Sequence, residues 1–252
     1  MSARVELLRR CRVVLVRPSI AANIGSAARV MRNMGLDQLV LVNPEADIKD
    51  RNARQLSTHG ETILDNSVTA STFEEAVGDC KLVFATSART GGPYRRQSVG
   101  TPEKLMTEAI AALHGGPTAL VFGPESSGLT NEEITACHFL IHIPTDPEYK
   151  ALNLAQAVAI CLYELRKAAL FFDFDVRDTP RSSTWLEQDR MFNELRAGLE
   201  GIHFLYGENA SALMHAIRHL IGRAEPSAME VDVLMGLARQ LRWAAAQLPR
   251  AQ

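Results

Sequence analysis

Apolar and polar positions alternate along the chain in a way that predicts short buried strands separated by helices. Five apolar runs, rich in β-branched residues and bounded by turn residues, have the length of buried strands. They lie at 12–16, 38–42, 81–85, 118–122 and 139–143. Strands that alternate with helices are typical of an α/β fold. We therefore predict a parallel sheet with helices on both faces.

The intervening segments predict helices, with one further short strand near 62–64. The helices are expected at 23–34, 50–57, 72–77, 102–113 and 151–172, with another beginning at Thr130. Thr130 and Glu133 have the spacing of a capping box, in which each side chain bonds the backbone N–H of the other residue. The helix at 151–172 is apolar on nearly every side in its first three turns. It should therefore be buried in the domain or against a partner chain.

The last third of the chain predicts a small helical extension. Residues 173–183 are charged, contain proline and serine, and show no periodicity, which is typical of a linker. Three amphipathic helices follow, near 184–200, 208–223 and 227–247. The residues expected on their apolar faces are Met191, Phe192, Leu195, Leu199, Val231, Leu234, Leu237 and Leu241. The predicted organisation is a domain at 1–172, a linker at 173–183 and a helical extension at 184–252.

Composition favours a cytoplasmic globular protein. Apolar residues make up 46% and charged residues 22% of the 252 positions, both ordinary values. No apolar run is long enough to span a membrane, and the N-terminus lacks the features of a secretory signal. The four cysteines are isolated and have no metal-ligand spacing, so we expect buried reduced thiols and no metal site. His215 and His219 lack the acidic partner of a zinc motif.

Charge is distributed unevenly. The net charge is −2, but the first sixty residues carry ten basic and five acidic side chains. A basic face suits a phosphate partner, although ordinary solvated surface is the alternative. Residues 90–96 combine two glycines with Tyr94, Arg95 and Arg96, which suits an RNA strand. A surface loop without function explains that segment equally well.

Two loops are candidates for a ligand site because each follows a predicted strand. Ligands of open α/β sheets bind at the carboxyl ends of strands, where 123–129 and 144–152 are expected. Gly123, Gly128 and the polar residues between them allow a ligand to approach the backbone closely. Residues 150–153 open a helix whose first N–H groups are free to bind. Well-formed turns without a ligand remain the alternative.

Three motifs in combination resemble those of the SPOUT class of RNA methyltransferases. They are N-I-G-S-A-A-R at 23–29, G-P-E-S-S-G-L-T-N-E-E at 123–133, and I-P followed by A-L-N-L-A at 143–155. The resemblance covers residues 12–170. It implies a C-terminal trefoil knot, which is a rare exception to the rule against threaded chains. The helical extension favours the TrmJ-like tRNA methyltransferase branch of the TrmH family.

The resemblance also implies an activity, a methyl donor and partners. The activity is S-adenosylmethionine-dependent methylation of the ribose 2′-oxygen, at cytidine or uridine 32 of the tRNA anticodon loop. The partners are tRNA and a second copy of the chain, since the family's active sites form across a dimer. Arg29 would be catalytic, with Asn23 and Glu125 orienting it and the ribose. The donor site would comprise Thr86, Ser87, Ala88, Gly123, Ile143, Lys150, Ala151, Leu152 and Asn153. The RNA-binding candidates are Arg17, Arg89, Arg95 and Arg96.

Two positions depart from the pattern of the resembled family. Pro124 replaces the usual arginine and Ala151 the usual serine, which removes a cation and a hydroxyl from the expected site. Three alternatives stay open. The chain methylates another RNA, it is a knotted RNA-binding protein without catalysis, or it is a small-molecule nucleotide enzyme. The absence of G-x-G-x-x-G counts against the last of these.

Overall fold

The structure is a computed structural model that describes residues 6–89, 99–171 and 182–247. These residues fall into two compact units, one ending at Phe171 and the other beginning at Ser182. The strands of the first unit are β1 (Cys11–Val16), β2 (Gln38–Val42), β3 (Val68–Ala70), β4 (Leu82–Thr86), β5 (Val99–Gly100), β6 (Thr118–Phe122) and β7 (Phe139–Ile141). Its helices are α1 (Ala21–Met34), α2 (Arg51–Ser57), α3 (Glu61–Asp65), α4 (Phe73–Val77), α5 (Pro102–Gly115), α6 (Asn131–Ala136) and α7 (Leu154–Phe171). The second unit contains α8 (Trp185–Gly201), α9 (Ala210–Gly222) and α10 (Ala228–Gln247).

The seven strands of the first unit form one parallel sheet in the order β3-β2-β1-β6-β4-β7-β5. From β1 the chain moves outward to β2 and β3, whereas from β6 it moves the other way to β7. Strands β1 and β6 are neighbours, and the loops that follow them lead the chain toward opposite edges of the sheet. This is the topological switch point at which open α/β sheets bind ligands.

Both faces of the sheet are covered. Successive strand residues point to opposite faces, and Val13 and Val14 are both fully buried. On one face, Val13 belongs to the main apolar core with Met31 of α1, Ile110 of α5 and Leu162 of α7. The predicted α/β class, with a parallel sheet covered by helices on both faces, is thereby confirmed. The trefoil knot stays a prediction.

Helix α7 starts later and is more exposed than predicted. It begins at Leu154 rather than at 151, because the Asn153 side chain accepts a hydrogen bond from the backbone N–H of Ala155 at 2.9 Å and caps it. One side packs into the core, but Tyr163 is 56% and Phe171 78% exposed. The single chain therefore does not bury α7 on all sides, and its burial against a partner chain stays a prediction.

Three other predictions about the secondary structure need correction. Residues 61–65 form α3 and not a strand at 62–64, because an apolar run this short carries no decisive period. Helix α1 begins at Ala21 rather than at Asn23, whose side chain bonds other loops instead of capping the helix. Strand β7 ends at Ile141 rather than at 143. The short strands β3 and β5 were not predicted.

The second unit has the three predicted helices and its own core. Its core includes Met191 and Phe192 of α8, Met214 of α9 and Val231 of α10. Leu237 was predicted to be buried but is 53% exposed. The two serines at the end of the predicted linker belong to this unit. Ser182 pairs with Ser227, and the Ser183 hydroxyl donates to the Pro226 carbonyl at 2.6 Å.

In the described ranges, no helix is both long enough and apolar enough to cross a membrane.

Candidate active site

A cavity of about 200 Å³ lies at the carboxyl ends of β4, β6 and β7. Its wall comes from three segments, residues 86–89 at the end of β4, 122–129 at the end of β6 and 150–152 before α7. Ile141, Ile143, Leu154 and Ala157 complete the lining. The parallel sheet brings these segments together, because it places the ends of neighbouring strands at one edge.

Most residues predicted to bind the donor meet in this cavity. Eight of the nine line it, namely Thr86, Ser87, Ala88, Gly123, Ile143, Lys150, Ala151 and Leu152. Glu125 and Arg89 line it as well. The motifs are far apart in sequence, so their convergence is a property of the fold. The ligand that these residues hold stays a prediction.

The loop after β6 needs glycine at two places. A Cβ atom on Gly123 would lie 2.3 Å from the backbone N of Leu129, so the loop closes directly over this residue. Gly128 has φ +70°, a conformation that other residues rarely adopt. The N–H of Gly128 donates to the Pro124 carbonyl at 2.9 Å and tightens the turn. The predicted close approach at Gly123 is thus made by the loop's own backbone.

A chain of hydrogen bonds joins the three motifs beside the cavity. The Asn153 amide donates to Asn23 Oδ1 at 2.9 Å, and Asn23 Nδ2 donates to Glu125 Oε1 at 2.7 Å. Both the backbone N–H and the hydroxyl of Ser19 donate to Glu125 Oε2, at 3.1 and 3.0 Å. Asn23 itself is 6% exposed. The loop after β1, the loop after β6 and the start of α7 are therefore fixed relative to one another.

These hydrogen bonds give Asn153 a role other than the donor binding expected for it. Asn153 is absent from the cavity lining and instead holds Asn23 and caps α7. Glu125 accepts every hydrogen bond that reaches it from Ser19 and Asn23. Burial tends to raise the pKa of Glu125, but the hydrogen bonds from Asn23 and Ser19 outweigh it and hold that pKa below its usual value. Glu125 is therefore a carboxylate at neutral pH.

The predicted RNA-binding arginines have different environments. Arg17 forms a two-pronged ion pair with Glu133, at 2.6 and 3.0 Å, rather than facing solvent as a free cation. Arg89 is exposed at the cavity wall. Arg95 and Arg96 lie outside the described residues. Glu133 and Ser19 were not predicted as site residues, although the capping-box spacing had placed Glu133 in the first turn of α6.

Arg29 lies on α1 but not in the cavity wall of its own chain. It is exposed, and it makes no hydrogen bond or ion pair with another described residue. It is six residues from Asn23, and at 100° per residue the two side chains leave different faces of the helix. The structure thus brings Asn23 and Glu125 together and leaves Arg29 directed elsewhere.

Both departures from the family pattern fall in the cavity wall. Pro124 is a buried residue of the loop after β6, and Ala151 is exposed just before α7. The missing cation and hydroxyl are therefore absent from the cavity itself.

Comparison with known proteins agrees with this geometry. The family model of the SpoU rRNA methylases matches residues 10–163, and that of the TrmJ C-terminal domain matches residues 187–251. The chain is 39% identical to the tRNA (cytidine/uridine/adenosine-2′-O-)-methyltransferase TrmJ of Pseudomonas aeruginosa, over 92% of this chain and 93% of that protein. It is 34% identical to the tRNA (cytidine/uridine-2′-O-)-methyltransferase TrmJ of Escherichia coli K12, over 92% and 94%.

Among solved structures, the crystal structure of TrmJ from Zymomonas mobilis superposes with a TM-score of 0.76. It is 30% identical and covers 91% of this chain and 98% of its own. A probable methylase from Haemophilus influenzae gives a TM-score of 0.62 at 33% identity, over 95% and 98%. These matches span both compact units. The chain therefore belongs to the SpoU rRNA methylase family, in its TrmJ-like branch.

Proposed function

We propose that this protein is an S-adenosylmethionine-dependent ribose 2′-O-methyltransferase that acts on tRNA. The observation that carries the proposal is the cavity in which the segments after β4 and β6 and before α7 converge. The names of the relatives support tRNA as the substrate class. We further propose cytidine or uridine 32 of the anticodon loop as the target and the cytoplasm as the location.

The cavity suits a nucleoside joined to a charged amino acid. Ile143, Leu152 and Leu154 supply apolar surface, while the loop after β6 supplies backbone polar groups and serine hydroxyls. Small-molecule sites commonly combine an apolar wall with a few placed polar groups. Bound there, S-adenosylmethionine would supply an electrophilic methyl group carried on a sulfonium. The protein's own part is to hold the donor and to orient the acceptor.

The acceptor is a ribose hydroxyl, which is a poor nucleophile. We propose that Arg29 stabilises negative charge on the 2′-oxygen as it reacts, because a guanidinium stays charged at all accessible pH values. Asn23 and Glu125 would position this oxygen, since each is already fixed by hydrogen bonds. Arg89, with Arg95 and Arg96, would contact the tRNA backbone.

We propose a homodimer in which Arg29 of one chain serves the cavity of its partner. Its exposed position outside its own cavity supports this arrangement. So does the apolar surface on α7, where Tyr163, Leu170 and Phe171 are 56%, 46% and 78% exposed. Sedimentation velocity at micromolar concentration should give the mass of a dimer, and a monomer would overturn this part of the proposal.

Replacing Arg29 with alanine tests the catalytic assignment. We expect Arg29→Ala to lower methyl transfer by roughly 10²–10³-fold, the usual loss for one transition-state contact. The affinity for S-adenosylmethionine, measured by calorimetry, should stay near wild type because Arg29 acts on the acceptor. Arg32→Ala is the matched control, since Arg32 is an exposed arginine on the same helix. Equal turnover in the two variants would remove Arg29 from the mechanism.

Pro124 and Ala151 favour one alternative, a knotted RNA-binding protein without catalysis. The enzyme and the non-catalytic protein differ in donor binding, since a cavity that no longer serves catalysis should not hold S-adenosylmethionine. Calorimetric titration should give micromolar binding if the protein is an enzyme. Binding of tRNA without any binding of the donor would favour the alternative.

A further inference from the structure

A bidentate ion pair joins the loop after β1 to the start of α6. Arg17 Nη1 donates to Glu133 Oε1 at 2.6 Å, and Nη2 donates to Oε2 at 3.0 Å. The side chains are 32% and 13% exposed. A guanidinium and a carboxylate paired in this way fix orientation as well as distance.

Glu133 also fixes the end of the loop that carries Glu125. Its Oε2 accepts from the backbone N–H of Thr130 at 2.8 Å, and the Thr130 hydroxyl accepts from the N–H of Glu133 at 3.2 Å. Burial tends to raise the pKa of Glu133, but the hydrogen bonds from Arg17 and Thr130 outweigh it and hold that pKa below its usual value. The loop is therefore anchored at one end by β6 and at the other, through Glu133, by Arg17.

The backbone at Arg17 is itself unusual. Arg17 has φ +45°, in the left-handed region that residues other than glycine seldom occupy. Asn43, in the corresponding place after β2, has φ 44°, and asparagine adopts this conformation more readily. The N–H of Arg17 donates to the Val42 carbonyl at 2.8 Å. Such a conformation persists only where its surroundings hold it, and here the ion pair is part of those surroundings.

We propose that Arg17 is a positioning residue of the active site and not an RNA contact. Paired with Glu133, it sets the distance between the loops that follow β1 and β6. That distance decides whether Ser19 and Asn23 reach Glu125, because all three lie on these loops or directly after them. A tRNA phosphate at Arg17 would have to displace the Glu133 carboxylate or lie beside its negative charge. The inference rests on the proposed function only for its kinetic readout.

The same strand carries a matched control. Arg12, near the start of β1, forms a bidentate pair with Asp79 at 2.7 and 3.1 Å, and it also donates to the Ala76 carbonyl at 2.6 Å. This pair lies at the end of the strand opposite the cavity. Its loss removes the same kind of contact from the same strand without touching the loops of the site.

The experiment compares Arg17→Ala, Glu133→Gln and the double variant with Arg12→Ala and Asp79→Asn. Glutamine keeps an oxygen that can still cap Thr130. We expect Arg17→Ala and Glu133→Gln each to lower kcat by roughly tenfold to a hundredfold, as misplacement by about 1 Å does. The double variant should be no worse than either single one, because the two residues act as a unit. The dissociation constant for tRNA and its salt dependence should not change.

Three results would overturn the inference. If Arg17 contacts phosphate, Arg17→Ala weakens tRNA binding and reduces the salt dependence by about one ion, whereas Glu133→Gln does not weaken binding. If the pair is merely structural, the Arg12 and Asp79 variants lower kcat as much as the Arg17 and Glu133 variants do. If the pair is not a unit, the losses in the single variants add up in the double variant.

A second measurement separates this inference from the proposed function. Amide hydrogen exchange of residues 18–28 and 123–133 should quicken equally in Arg17→Ala and Glu133→Gln and stay unchanged in Arg12→Ala. This readout needs no tRNA and no methyl donor. If wild type transfers no methyl group but exchange behaves in this way, the proposed function fails and the positioning role stands. Unchanged exchange in the Arg17 and Glu133 variants would overturn the positioning role.

Discussion

At the scale of single residues, close packing against a neighbouring helix explains the glycine of the first motif, Gly25. A Cβ atom on Gly25 would lie 2.1 Å from the carbonyl oxygen of Ala53 in α2. We expect Gly25→Ala to lower the free energy of unfolding by about 1–3 kcal/mol, the usual cost of overpacking a tight contact. Denaturant unfolding of the full chain measures this change.

Gly236 provides the control because it lies within helix α10 and its added Cβ would meet nothing within 4 Å. Gly236→Ala should raise stability by about 0.5–1 kcal/mol, since alanine favours helix more than glycine does. A Gly25→Ala protein as stable as wild type would show that the two helices can separate without cost.

The backbone of α2 lies so close to Gly25 that only a glycine fits at this position of the first motif. The pairing of Arg17 with Glu133 could not be predicted, because the two residues are 116 positions apart and neither pattern points to the other. Sequence spacing reports contacts within one turn or one strand. Partners across the sheet follow only once the strand order is known.

At the scale of elements, the first turn of α6 should make stability depend on pH. The hydrogen bonds of Glu133 hold its pKa below the ordinary value of 4.5. Its carboxylate therefore contributes stability that is complete above pH 4.5 and is lost as the pH falls through the lower pKa of the folded state. We expect wild type to lose stability progressively as the pH falls below about 5, and Glu133→Gln to lose less over the same range.

Glu132→Gln is the control for this measurement. Glu132 is the neighbouring residue, is exposed, and makes no hydrogen bond or ion pair with another described residue. Urea unfolding at several pH values should therefore give parallel curves for Glu132→Gln and wild type. A Glu133→Gln curve that is also parallel to wild type would show that the ion pair contributes nothing to stability.

The elements were predictable where the pattern was long or punctuated. The long strands and the capping box at Thr130 appear where predicted, because apolar runs bounded by glycine and proline leave few alternatives. Strand β5 has two residues, too few for any alternation to show. The start of α1 was misplaced because asparagine favours helix caps, whereas the side chain of Asn23 forms hydrogen bonds with Glu125 and Asn153.

At the scale of the whole molecule, the site follows from strand order. Strands β1 and β6 are neighbours although more than a hundred residues separate them, and the chain leaves them in opposite directions. The resemblance of the motifs implied that they meet, but composition and periodicity alone could not have paired β1 with β6. The parallel order gathers Asn23, Glu125 and Asn153 beside the cavity.

The most direct test of the central claim is to map methyl groups on tRNA after incubation with the purified protein and S-adenosylmethionine. Mass spectrometry of nuclease fragments distinguishes a methyl group on ribose from one on a base. The proposed function predicts a single 2′-O-methyl group at nucleotide 32, present with wild type and greatly reduced with Arg29→Ala. Fragments without any added ribose methyl group, from a wild type that binds both tRNA and the donor, would contradict it.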